Sequence, residues 1–122
     1  MKTQYVTSCS TTGLHHLPYT DWGDIENPDI LICSHGLTRN KHDFDVLAKK
    51  LSIKRRVICF DLPGRGESSW LNNKLAYDYN QYTVDALMII ARTGANKVSW
   101  LGTSMGGLLG MALASLENSP IK

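Results

Sequence analysis

Apolar and polar positions divide the chain into a short leading section and a longer alternating one. Residues around 3–9 and 14–21 read as two N-terminal strands, followed by a loop through Gly23-Asp-Ile-Glu-Asn-Pro28. From Asp29 the pattern changes. Ile30–Cys33 is a continuous apolar run, the mark of a strand buried on both faces, Val57–Phe60 and Val98–Leu101 read as further short apolar, buried strands, and together they predict strands over 30–34, 56–60 and 97–101. Between them apolar residues recur at spacings of three and four. Phe44, Leu47, Ala48 and Leu51 mark one face of a helix near 42–51, another helix falls near 80–92, and Met105, Leu108, Leu109, Ala112, Leu113 and Leu116 mark a third after residue 104. Strands alternating with helices imply parallel βαβ units with right-handed crossovers. The expected fold class is therefore α/β: an N-terminal β-hairpin, then parallel βαβ units in three αβα layers. Residues 1–122 are expected to form a single partial domain, because no internal repeat or low-complexity tract divides them.

The last strand runs into Gly102-Thr-Ser-Met-Gly106, a Gly-x-Ser-x-Gly string. A bare match of this kind often marks only a flexible turn. Here a buried strand precedes it and a helical pattern follows, so the chain must reverse sharply and lift Ser104 above the strand end. Glycines at 102 and 106 relieve the crowding of that turn. Ser104 is the expected nucleophile, at the positive end of the following helix, with the Met105 N–H free to donate toward a developing oxyanion.

Two upstream segments support this. The strand 30–34 ends in Ser34-His-Gly-Leu37, a turn whose Leu37 N–H is expected to face that of Met105 and complete an oxyanion hole. His35 itself reads as a structural hydrogen-bonder in the turn rather than a proton shuttle. The strand 56–60 ends in Asp61-Leu-Pro-Gly-Arg-Gly66, at the edge where open parallel sheets gather ligands. Asp61 reads as a loop-initiating cap on backbone N–H groups rather than a catalytic acid. Gly64-Arg-Gly66 lacks the lysine and the further glycines of a nucleotide fingerprint, so no cofactor is implied.

In order and spacing, Ser-His-Gly-Leu-Thr-Arg-Asn, Asp-Leu-Pro-Gly-Arg-Gly-Glu-Ser and Gly-Thr-Ser-Met-Gly-Gly resemble the loops after the third, fourth and fifth strands of the α/β-hydrolase superfamily. Tyr19-Thr-Asp-Trp-Gly23 fits its esterase and lipase-like bacterial members. The resemblance covers the chain but only the N-terminal half of that fold. It implies a serine hydrolase acting on a small-molecule ester or related acyl substrate through a Ser104 acyl-enzyme. The family's lid, its later strands, its triad acid and its histidine are missing from these residues, and no aspartate or histidine follows Ser104. The chain by itself is thus expected to be nearly inactive, since a serine without a base is a poor nucleophile. A serine at the elbow argues against the branches that use an aspartate there.

Composition narrows the alternatives. With 43% hydrophobic and 20% charged residues the chain reads as an ordinary globular protein, and a net charge of +2 indicates no polyanionic partner. Lys49, Lys50, Lys54, Arg55 and Arg56 are expected to stay solvated at a helix end, so nucleic-acid binding is not expected. Cys9, Cys33 and Cys59 read as reduced thiols, which favours the cytoplasm. No apolar run is long enough to span a membrane. The loop around Trp70 and Tyr77 reads equally as a substrate entrance or as surface packing. A non-catalytic alternative is a short α/β protein that binds a partner or self-associates through the exposed edge of its last strand.

Overall fold

The computed structural model describes residues 1–122. A hairpin opens the chain: β1 (Lys2–Ser10) and β2 (Gly13–Trp22) pair antiparallel from Lys2 opposite Asp21 to Ser10 opposite Gly13. β3 (Ile30–Ser34), β4 (Arg56–Phe60) and β5 (Ser99–Gly102) follow, in a mixed sheet of order β1-β2-β4-β3-β5. β3 runs parallel to both β4 and β5, while β2 joins the parallel part by lying antiparallel on β4.

Helices cover both faces. α1 (Asp45–Leu51), introduced by a 3-10 turn at Lys41–Phe44, lies on one; α2 (Tyr79–Thr93) and α3 (Met105–Ala114) lie on the other. The alternation of side chains along each strand explains the continuous apolar runs. Ile30, Ile32, Ile58 and Phe60 meet Ala86, Ile89, Leu109 and Leu113 on the α2/α3 side. Leu31, Cys33, Val57 and Cys59 meet Phe44 and Ala48 on the α1 side. α2 is bounded by local chemistry, the Asp78 side chain capping the Gln81 N–H at 2.9 Å and Gly94 closing the last turn with φ of 76°.

Several expectations are corrected. α1 and α3 bury narrower stripes than their periodicity predicts: Leu47, Leu108 and Leu116 are exposed, and the buried face of α3 is made by Met105, Leu109 and Leu113 at spacing of four together with Gly106 and Gly110. β5 is not buried on both faces, and Leu101 is exposed, because only β3 flanks it along its length. Its outer edge is covered at one end, where the Val98 N–H donates to the Pro120 carbonyl at 2.8 Å and the Lys122 N–H donates to the Val98 carbonyl at 3.0 Å. Arg56 is not solvated. It is buried and grips Asp21 with two bonds, Nε to Oδ1 at 3.0 Å and Nη2 to Oδ2 at 2.7 Å, tying β4 to β2. Cys33 and Cys59, distant in sequence, sit opposite each other on β3 and β4 as buried free thiols. No helix is long and apolar enough to cross a membrane.

Candidate active site

The elbow between β5 and α3 is set by close backbone approach. A Cβ at Gly102 would overlap the Gly106 carbonyl and the Gly107 nitrogen, and a Cβ at Gly106 would overlap the Ser34 carbonyl oxygen, so neither position admits a side chain. The Thr103 N–H donates to that same Ser34 oxygen at 3.1 Å, which fastens the elbow to the end of β3. Trp100 braces it from below, its indole Nε1 donating to the Gly106 carbonyl at 2.9 Å.

Between these constraints Ser104 takes φ of 52° and ψ of −117°, the single positive φ outside glycine. Such a conformation costs a residue with a side chain of order 1–3 kcal/mol, which the surrounding packing must hold. Ser104 is exposed and its hydroxyl caps no helical N–H. Met105 begins α3, and its N–H, together with that of Leu37, donates to no other group of the protein. The His35-Gly36-Leu37 turn lies against the serine: a Cβ on Gly36 would stand 3.6 Å from the Ser104 Cβ.

His35 and Asp61 hold the floor of the site. The fully buried His35 ring donates from Nδ1 to the Gly36 carbonyl at 2.7 Å, and its Nε2 accepts the Leu62 N–H at 3.0 Å. Burial keeps its pKa below the ordinary imidazole value, outweighing the Gly36 hydrogen bond and the Asp61 charge that act the other way. Both nitrogens are therefore occupied on a neutral ring, which is a structural role. Asp61 accepts the Lys41 N–H at 2.8 Å, the Glu67 N–H at 3.0 Å and the Lys41 ammonium at 2.7 Å. Burial works to lower the Lys41 pKa, but its hydrogen bonds to Asp61 and to Glu67 at 3.0 Å raise it above the usual lysine value.

Sequence reasoning missed Lys41 and Arg65. Lys41 sits in a polar stretch, Asn40-Lys-His-Asp43, where nothing local marks burial, and only the need of a buried Asp61 for a counter-charge points to it. Arg65 lies between two glycines, yet its guanidinium reaches the Leu37 carbonyl and the rings of Tyr77 and Tyr82. Of the two aromatics in the long loop, Tyr77 packs on the core and its hydroxyl accepts the Leu71 N–H at 2.7 Å, while Trp70 is exposed.

A mixed sheet with helices on both faces, a strained serine between a parallel strand and a helix, and a His-Gly turn beside it are the parts of one family's site. Residues 29–122 match the family model for the alpha/beta hydrolase fold, and the chain belongs to that family. It is 48% identical over 118 residues to a 3-hydroxybutyrate-oligomer hydrolase of Cupriavidus necator, covering 97% of this chain and 40% of that protein. A human serine hydrolase-like protein is 30% identical over 95 residues, covering 78% of this chain and 46% of its own length. Among solved structures, one from Rickettsia typhi superposes with TM-score 0.92 at 37% identity over all of this chain and 46% of its own. An alpha/beta hydrolase from Novosphingobium aromaticivorans gives TM-score 0.81 at 37% identity, over 98% of this chain and 41% of that one. The chain thus spans less than half the length of these relatives, which fits a partial α/β-hydrolase fold.

Proposed function

We propose that Ser104 is the nucleophile of a serine hydrolase that cleaves esters. Its oxygen attacks the acyl carbonyl, and the resulting oxyanion is held by the N–H groups of Met105 and Leu37. Collapse expels the alcohol and leaves an acyl-Ser104 ester, which water then attacks to return the serine and release the acid. The observation that carries this reading is the exposed Ser104 hydroxyl at positive φ beside two main-chain N–H groups without protein partners.

The base that takes the serine proton is not found among the histidines of this chain near the elbow. His35 is engaged at both nitrogens, and the side chains of His15, His16 and His42 meet Asp85, Tyr5 and Asp45 rather than Ser104. Turnover therefore depends on residues in the remaining part of the fold that the relatives possess, and residues 1–122 by themselves are expected to be nearly inactive. The name of the Cupriavidus necator relative suggests oligomers of a hydroxy acid as the first esters to try. The buried free thiols favour a reducing compartment such as the cytoplasm.

A fluorophosphonate probe applied to the whole protein carrying this chain is expected to label Ser104. Equal labelling of a Ser104→Ala variant removes the serine from the mechanism. A non-catalytic reading has one observation in its favour, the largely unpaired outer edge of β5, whose Leu101 is exposed. It predicts a concentration-dependent dimer in size-exclusion chromatography together with no hydrolysis by the whole protein.

A further inference from the structure

We propose that Arg65 is the positioning residue of the oxyanion hole, acting as a tether that fixes the Leu37 backbone without touching the substrate. The inference rests on the assignment of the Leu37 N–H to the oxyanion.

Leu37 lies in an exposed turn, its side chain in solvent, so packing does little to orient its two peptide groups. Hydrogen bonds must do so. The peptide that carries the Leu37 N–H also carries the Gly36 carbonyl, and this carbonyl accepts His35 Nδ1 at 2.7 Å and the Arg39 N–H at 3.2 Å. The peptide on the other side of Leu37 presents its carbonyl to Arg65, whose Nε donates to it at 3.0 Å. Leu37 is thus clamped from both sides, and only the Arg65 side is bound to a side chain from a distant loop.

The guanidinium is itself held in place. Its Nη1 donates to the Pro63 carbonyl at 3.0 Å and to the Tyr82 hydroxyl at 2.8 Å. Its carbon lies 5.4 Å from the Tyr82 ring centroid and 5.9 Å from that of Tyr77. Tyr82 is buried in α2, so the tether ends on a rigid helix rather than on another loop. A planar fork with several donors can bind a carbonyl, a hydroxyl and an aromatic face together, which a lysine ammonium cannot reproduce. Its positive charge next to the turn also favours a developing anion there.

The test uses the whole protein, with p-nitrophenyl butyrate as substrate and a trifluoromethyl ketone as mimic of the tetrahedral state. Arg65→Lys and Arg65→Met are expected to lower kcat about ten- to a hundredfold with KM within about twofold, as for a misplaced catalytic group. Affinity for the trifluoromethyl ketone falls by the same factor, whereas a purely structural role would lower stability and leave that affinity ratio unchanged. Tyr82→Phe, which keeps the ring and removes the hydroxyl, gives a smaller loss in the same direction and serves if the arginine variants fail to fold. If Arg65→Lys and Tyr82→Phe both keep kcat within about twofold while Ser104→Ala is inactive, the tether is overturned and the nucleophile stands. A Ser104→Ala variant that still hydrolyses the ester overturns both.

Discussion

The Asp61 carboxylate receives the Lys41 ammonium at 2.7 Å with neither side chain exposed to solvent, and this ion pair joins the loop after β3 to the loop after β4. Two charges taken out of water are stable only together, because each alone keeps its desolvation cost. Lys41→Met leaves Asp61 buried without its counter-charge and is expected to lower unfolding stability by about 3–5 kcal/mol, read by urea denaturation. Glu67→Gln, at the exposed end of the same cluster, is expected to change it little.

Ser104 carries strain that glycine would not. Ser104→Gly is expected to be more stable than Ser104→Ala by about 1 kcal/mol, since alanine keeps the Cβ at positive φ and glycine gives back part of the gain through its freer unfolded chain. Both variants lack the hydroxyl, so thermal unfolding separates strain from catalysis. A Ser104→Ala variant more stable than Ser104→Gly would mean that the elbow is relaxed, since only the freer unfolded chain of glycine would then separate them.

His35 gives the protein a sensitivity to mild acid. Its folded pKa lies below the ordinary 6.5, so the unfolded chain takes up the proton first as pH falls. The stability it contributes is whole above pH 6.5 and is lost as pH drops through the folded value. Denaturant midpoints measured between about pH 8 and about pH 5 are expected to decline, and His35→Phe should be less stable throughout but flatter across that window.

Asp85 acts with the opposite sign. Burial raises its pKa despite hydrogen bonds from Ser8, His15 and Gln81, all of which converge on Oδ1 at 2.7, 2.8 and 3.0 Å. A raised carboxyl pKa favours the folded state below the ordinary value of 3.8, and that benefit is lost as pH rises through the folded value. Asp85→Asn keeps an oxygen for the same donors and removes the charge. Its stability relative to the parent protein is expected to rise as pH is raised above 3.8, a trend that paired urea titrations would reveal.

The elbow was legible because its causes are local. Gly102 and Gly106 are required by atoms within a few residues or by the strand next door, and the apolar runs of β3 and β4 reflect burial on two faces. The hairpin and the three parallel strands follow from the same short-range patterns. Leu47, Leu108 and Leu116 misled for a related reason: helical spacing names a face of the helix but not how wide a neighbour covers it, and α3 buries Met105, Leu109 and Leu113 with two glycines while Leu108 stays outside.

The sequence by itself determined which elements form and where a serine is forced onto a sharp bend, since spacing, glycine placement and apolar period act within a turn or a strand. The tertiary structure alone decided which charges are buried and which backbone groups are held. Arg56 finds Asp21, Lys41 finds Asp61 and Arg65 finds Leu37 across separations of 35, 20 and 28 residues. The free energy of a charge depends on what surrounds it in space, and that is fixed only once the sheet has brought those loops together.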